Sequence, residues 1–116
     1  MKVIDRVAFM DTFQYFDKSI VVEIIDIFLT EYPQRMEALK KDIQKLDFSA
    51  LKFDAHSVKG VIANFVAAVP QQLAKELEYK GINNDATDLQ RIYDELCIAG
   101  ADLIDDLHAL RPDFEE

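Results

Sequence analysis

The sequence predicts an all-α fold, most simply an antiparallel four-helix bundle with an additional short N-terminal helix. Apolar residues recur at steps of three and four along most of the chain, and no stretch alternates convincingly with a period of two. Half of the residues are hydrophobic and only three glycines and three prolines occur, so a packed core is expected rather than disorder. At 116 residues, the whole chain (1–116) has the size of a single domain, and it shows no internal repeat or linker.

The first two elements are expected before residue 47. A short helix is predicted from Asp5 to Phe16, followed by a cap-like break at Asp17-Lys18-Ser19, because Asp and Ser side chains accept the free N–H groups of a new helix. Apolar residues then follow helical spacing at Ile20, Ile24, Ile27, Phe28, Met36, Leu39, Ile43 and Leu46. Pro33 either kinks this helix or starts a new one.

Three further helices are predicted after Asp47, which is placed to cap the first of them. That helix carries an unbroken apolar seam of the kind that bundle helices bury, at Phe48, Leu51, Ala55, Val58, Ile62, Phe65 and Val69. Pro70 suits the start of the next helix and Gly81 its C-cap, with a loop at Asn83-Asn84-Asp85. The last helix ends near Pro112. It has the same spacing of three and four residues, at Leu89, Tyr93, Leu96, Gly100, Leu103, Leu107 and Leu110.

The charge balance excludes several classes of partner. Thirteen basic residues against 22 acidic ones give a net charge of −9, which repels phosphate backbones and anionic lipid, so neither nucleic acid nor membrane is an expected partner. No signal peptide and no apolar run long enough to span a bilayer are present, so a cytoplasmic protein is expected. Lysines are concentrated in the middle of the chain. They either interact with an anion there or lie on ordinary solvent-exposed helix faces.

The sequence offers no complete catalytic or metal-binding motif. Cys97 is the single cysteine, which excludes an internal disulfide and a cysteine-based zinc site. No glycine-rich nucleotide loop, no Ser or Cys beside a base, and no acid or histidine cluster with metal-ligand spacing is present. We therefore expect neither a metal nor a cofactor in this chain.

His56 is the most informative residue of the sequence. At about 100° per residue, it falls roughly 130° from the centre of the apolar seam, so it points towards water. Gly60 lies one turn later on the same face, and since a mid-helix glycine costs about 1 kcal/mol relative to alanine, clearance for a bulky group is a reason for it. Lys59 stands at the edge of that face. An exposed imidazole beside a lysine and a cleared surface suits a nitrogen nucleophile that takes and hands on a phosphoryl group.

The run Ala55-His56-Ser57-Val58-Lys59-Gly60 resembles the signature of histidine-containing phosphotransfer (HPt) domains. Leu77-Glu78 and Gly81 stand where that family often has a Leu-Glu pair and a small residue, and the helix through Tyr32-Pro33 up to Leu46 and Asp47 is similar as well. The resemblance covers essentially the whole chain, although only the run from His56 to Gly60 is specific.

The resemblance implies a two-component phosphorelay intermediate. His56 would accept a phosphoryl group, through Nε2, from the aspartyl phosphate of one response-regulator receiver domain and pass it to another. Lys59 would offset the phosphoryl charge and Gly60 would give the receiver room to dock. Such a protein carries phosphate without autonomous kinase activity, and the Mg²⁺ belongs to the receiver. The donor receiver is expected in a hybrid sensor kinase, and the initial methionine favours a free-standing protein over a segment of such a kinase.

The sequence also departs from the family pattern. Val61-Ile62 replaces the small hydroxyl residues that often follow Lys-Gly, Val66 stands where a second glycine is common, and Pro70 stands where an apolar residue is usual. These departures bear on partner docking and on the turn after the His56 helix.

Two other functions remain open from the sequence. One is a non-catalytic helical adaptor that binds a receiver or another partner without carrying phosphate, for which a blocked or buried His56 would be diagnostic. The other is an oligomerising bundle subunit, which a concentration-independent monomer in light scattering would exclude; we expect a monomer. Phe53, roughly 170° from the seam, is expected either in a docking patch beside His56 or packed under the N-terminal helix.

Overall fold

The computed structural model describes residues 2–115 and confirms the all-α prediction, since this part of the chain contains helices and turns but no strand. The helices are α1 (Arg6–Phe13), α2 (Lys18–Lys45), α3 (Phe48–Ala63), α4 (Ala68–Ile82) and α5 (Leu89–Leu110), followed by a 3-10 turn at Arg111–Phe114. Each long helix packs on the next and α2 also packs on α5, which closes a four-helix bundle. Short connections make consecutive helices antiparallel.

The additional N-terminal helix closes one end of the bundle. Phe9 and Phe13 of α1 are buried, and the Phe9 ring centroid lies 5.8 Å from that of Phe114 and 6.4 Å from that of Phe65. Phe65 in turn meets the ring of Phe28 on α2 at 5.0 Å. This aromatic cluster ties α1 to both the α3–α4 connection and the C-terminal turn.

Helix α2 differs from its prediction in two respects. Pro33 lies inside one continuous helix, so the alternative that it starts a new one is wrong. The predicted core positions Ile20 and Ile27 are exposed, whereas Val21, Ile25 and the later residues of their row are buried. Apolar residues occupy both rows in this half of the helix, so the helical period alone does not distinguish them.

The connection after α3 also corrects the sequence prediction. The helix ends at Ala63, and the seam does not continue to Val69, which is exposed in the first turn of α4. Val66 adopts a left-handed backbone conformation, φ 54°, which turns the chain while Phe65 stays buried. Pro70 lies in the first turn of α4, as expected.

Gly81 is not the C-cap of α4, because the helix continues to Ile82 and Asn83 is its cap residue. Gly81 is instead buried against α3, where an added Cβ would lie 2.6 Å from the backbone nitrogen of Lys52. The glycine therefore permits close contact between α3 and α4. Asp47 caps α3 as predicted, since its carboxylate accepts the Ala50 N–H at 3.1 Å.

Two structural properties of residues 2–115 bear on the predicted partners and ligands. None of the helices has both the length and the apolar composition needed to cross a bilayer. Within the same residues, no group of three or more His, Cys, Asp or Glu side chains is arranged to hold a metal ion.

Candidate functional site

His56 lies on the solvent face of α3, as its position relative to the apolar seam predicts. About two-thirds of its side chain, 68%, is exposed, and the face around it also carries Gly60 and Phe53. The seam residues on the opposite side of α3 are buried, which anchors the helix and leaves the imidazole at the surface.

A buried carboxylate from the neighbouring helix holds the histidine ring. Glu78 on α4 places Oε2 2.7 Å from Nδ1 of His56, and only 11% of its side chain is exposed. Its other oxygen, Oε1, accepts a hydrogen bond from Nζ of Lys59 at 2.6 Å. One carboxylate therefore joins the histidine and the lysine across the α3–α4 interface.

The protonation of Glu78 follows from these contacts. Burial by itself would raise the pKa of the Glu78 carboxyl, but the hydrogen bonds from Lys59 and His56 outweigh it, and the pKa is lowered. The group is thus ionised at neutral pH and can only accept hydrogen bonds.

An ionised Glu78 sets the tautomer of His56. Since a carboxylate accepts but does not donate, Nδ1 of His56 must carry the hydrogen of this contact. In the neutral ring, the lone pair then lies on Nε2. The arrangement presents a nucleophilic nitrogen at the surface and holds the ring in orientation, as a carboxylate does for a catalytic histidine.

Gly60 leaves open space beside the ring. A Cβ added at this position would have no heavy atom within 4 Å, in contrast to Gly81, whose Cβ would meet the backbone of α3. Gly60 thus has no packing role within the residues that the structure describes. One turn beyond His56, the helix surface therefore carries no side chain, which leaves room for a partner's backbone or a phosphoryl group.

The remaining residues singled out from the sequence are placed as follows. Phe53 is 71% exposed, so the alternative in which it packs under the N-terminal helix is wrong and its place in a docking patch beside His56 stays a prediction. Val61 is half-buried on the side of α3 that faces α2 and, with Asn64 and Phe65, lines a groove of about 200 Å³ there. The roles of His56, Lys59 and Gly60 stay predictions.

The sequence by itself assigns no role to Glu78, which stands out there only within the Leu77-Glu78 pair of the family resemblance. The available signal was its position directly after the buried Leu77 and three residues before Gly81, which places it at the flank of α4, where that helix meets α3. Which α3 side chains it meets depends on helix register and was not readable from the sequence.

Comparisons with known proteins give one match. The family model described as "Hpt domain" matches residues 23–112, which covers all of α3, α4 and α5 and most of α2. Neither the curated proteins nor the solved structures contain a match to this chain.

Proposed function

This chain belongs to the Hpt domain family, and on that premise we propose that it is a phosphorelay intermediate that carries a phosphoryl group on Nε2 of His56. The group would come from the aspartyl phosphate of one receiver domain and go to the aspartate of another. The observation that supports this most is the exposed imidazole whose Nδ1 is held by an ionised, buried Glu78. This contact leaves Nε2 as the free nucleophilic nitrogen.

The transfer step needs no external base. Nε2 attacks phosphorus with its lone pair, the P–O bond of the aspartyl phosphate breaks, and the receiver recovers its carboxylate. The ring keeps its hydrogen on Nδ1 and becomes cationic, with the phosphoryl dianion on Nε2. Glu78 stabilises that ring cation, because a hydrogen bond between two charged groups is stronger than a neutral one. Return of the phosphoryl group to a second aspartate reverses the same steps.

Lys59 and Gly60 have supporting roles in this proposal. The Lys59 ammonium is three residues from His56, at a spacing that places both side chains on neighbouring parts of the helix surface. It offsets charge on the phosphoryl group. The open space at Gly60 lets the receiver bring its aspartate within reach of Nε2.

The receiver domain supplies the remaining chemistry in this proposal. Mg²⁺ is expected on the receiver, and this chain has neither a nucleotide loop nor kinase activity of its own. Partners would be response-regulator receivers, one of them in a hybrid sensor kinase, meeting a monomeric protein in the cytoplasm. The alternative of a non-catalytic adaptor predicts a blocked or buried His56, and the exposed ring argues against it.

A phosphoryl-transfer assay tests the proposal. A panel of receiver domains, phosphorylated on aspartate in the presence of Mg²⁺, is mixed with the wild-type protein, with H56Q, and with H108Q as the matched control at the other histidine. We expect acid-labile, alkali-stable label on the wild type and on H108Q, and none on H56Q. Binding of a phosphorylated receiver without any label on the wild type would support the adaptor instead.

A further inference from the structure

The Lys59 ammonium already has a partner in the unphosphorylated protein. Its Nζ lies 2.6 Å from Oε1 of Glu78, and the lysine side chain is only 26% exposed. Building on the proposed function, we propose that Glu78 acts as a positioning residue that competes with the phosphoryl group for Lys59 and thereby limits how firmly His56 holds that group.

The competition follows from the charges on this small site. Before transfer, one carboxylate is balanced by one ammonium, and the neutral imidazole donates from Nδ1. After transfer, a dianionic phosphoryl group stands on the other side of the ring and attracts the same ammonium. Every conformation in which Lys59 contacts the phosphoryl group weakens its contact with Glu78.

Because Glu78 is buried, the loss of its contact with Lys59 costs free energy. The carboxylate is 11% exposed, so water replaces a departing ammonium poorly, and an ionised group left without its partner in such a place is destabilised. The Nδ1–H of His56 remains as one donor to Glu78. Lys59 is therefore shared between two anions, and the phosphoryl group receives only part of its stabilising effect.

Weak retention suits a carrier. A protein that must both accept and release a phosphoryl group works best when neither state is strongly favoured, and full engagement of a free lysine would favour the loaded state. The Glu78–Lys59 pair thus keeps the free energy of the phosphohistidine high enough for the phosphoryl group to be passed on.

The inference is tested by measuring the effect of Lys59 with and without Glu78. The variants are K59M, E78Q and K59M/E78Q, and the substitution E78Q keeps an amide oxygen that can accept from Nδ1 while removing the charge that holds the ammonium. The equilibrium phosphorylation of His56 is measured against a fixed ratio of N-phosphoimidazole to imidazole, by ³¹P NMR, and approached from both directions. No receiver domain is needed, so partner choice does not affect the result.

In the presence of Glu78, we expect K59M to lower the equilibrium constant by less than about twofold. In the E78Q background we expect the same lysine change to lower it by about tenfold, because the ammonium is then fully available to the phosphoryl group. Equal effects of K59M in both backgrounds, or no effect in either, overturn the inference. We expect the ¹⁵N shifts of the His56 ring in E78Q to report a hydrogen on Nδ1 still, which assigns the effect of the substitution to Lys59 and not to a change of tautomer.

Two controls separate the inference from the proposed function. E76Q removes a carboxylate from the same helix at a position about 160° from Glu78 around the helix axis, so it should leave the effect of K59M unchanged. Suppose that the wild type is phosphorylated on His56 and H56Q is not, but that K59M has equal effects with and without Glu78. The proposed function then stands, and only the inference is overturned. A wild-type protein that takes up no phosphoryl group on His56 either from N-phosphoimidazole or from any phosphorylated receiver overturns both.

Discussion

Among single residues away from His56, Asp42 on α2 has the most perturbed carboxyl group. Burial raises its pKa to about 7, a hydrogen bond with Asp54 on α3 and the nearby charges of Asp54 and Asp47 add to the shift, and Lys45 opposes it. Its Oδ2 atom is buried and meets no hydrogen-bond donor among residues 2–115. The Asp42 carboxyl group on α2 therefore keeps its proton until close to neutral pH.

The substitution D42N should change the pH dependence of stability. A carboxyl group whose pKa is raised in the folded state keeps its proton there while the unfolded chain loses it, so its effect on stability becomes less favourable as pH rises from about 4 to about 7. We expect D42N to gain about 1–2 kcal/mol relative to the wild type over that window, allowing for partial exposure of the group.

Urea unfolding at a series of pH values from 4 to 8 measures this difference. The substitution E23Q, at an exposed glutamate on the same helix, is the matched control for the change in net charge. A stability difference between D42N and the wild type that stays constant with pH would contradict the raised pKa of Asp42.

At the scale of helices, the contact between α3 and α4 sets the geometry of the site. Gly81 lets α4 approach the backbone of α3 near Lys52, and one turn earlier on α4 this approach places Glu78 beneath His56 and Lys59. Gly60, also inside a helix, has open space around it. The two glycines thus differ in what an added methyl group would meet.

Alanine substitutions at these two glycines should have opposite effects on stability. G60A is expected to raise the free energy of unfolding by about 0.5–1 kcal/mol, because alanine is the better helix former and its Cβ meets nothing. G81A is expected to lower it by about 1–3 kcal/mol, since its Cβ would lie 2.6 Å from a backbone nitrogen of α3.

Chemical denaturation of the two variants tests this pair of expectations, with each variant serving as the control for the other. A G81A protein as stable as the wild type would show that α3 and α4 separate at little cost. G60A combines higher stability with slower transfer from receivers if the open space is a docking surface, and an unchanged transfer rate would contradict that role.

At the scale of the whole molecule, hydrogen bonds join the N-terminal segment to α5, the last long helix. Asp106 on α5 is buried, and its Oδ2 accepts the backbone N–H groups of Val3 at 2.7 Å and Ile4 at 3.0 Å. The next N–H, from Asp5, reaches the carbonyl oxygen of Val66 in the α3–α4 connection at 3.0 Å. These three hydrogen bonds hold in place the segment that leads into α1, whose phenylalanines close one end of the bundle.

Removal of the buried carboxylate should release this segment. We expect D106A to lower the free energy of unfolding by about 1–3 kcal/mol, because the backbone N–H groups of Val3 and Ile4 lose their acceptor. Hydrogen exchange followed by NMR should speed up at Val3 and Ile4 while the middle of α3 stays protected. The exposed neighbour Asp105 provides the control, D105A, and equal exchange in the two variants would contradict the anchoring role.

The sequence by itself determined the helical class, the cap at Asp47 and the exposure of His56. Helical period and capping chemistry act over a few neighbouring residues, so they are readable without the fold. The same local rules were ambiguous in α2, where two apolar rows one residue apart compete for the core, and they extended the α3 seam past Ala63 because a left-handed turn at Val66 has no signal in the spacing.

Only the tertiary structure decided what surrounds the imidazole. Glu78 is 22 residues from His56 in sequence, and their contact depends on how closely α4 approaches α3 and in which register. Gly81 looked like a helix terminator in the sequence, and its role in that approach became visible only with the backbone of α3 against it. A local pattern can place a histidine at the surface, but the ionised acceptor that selects its tautomer, and that holds Lys59, comes from a neighbouring helix through packing.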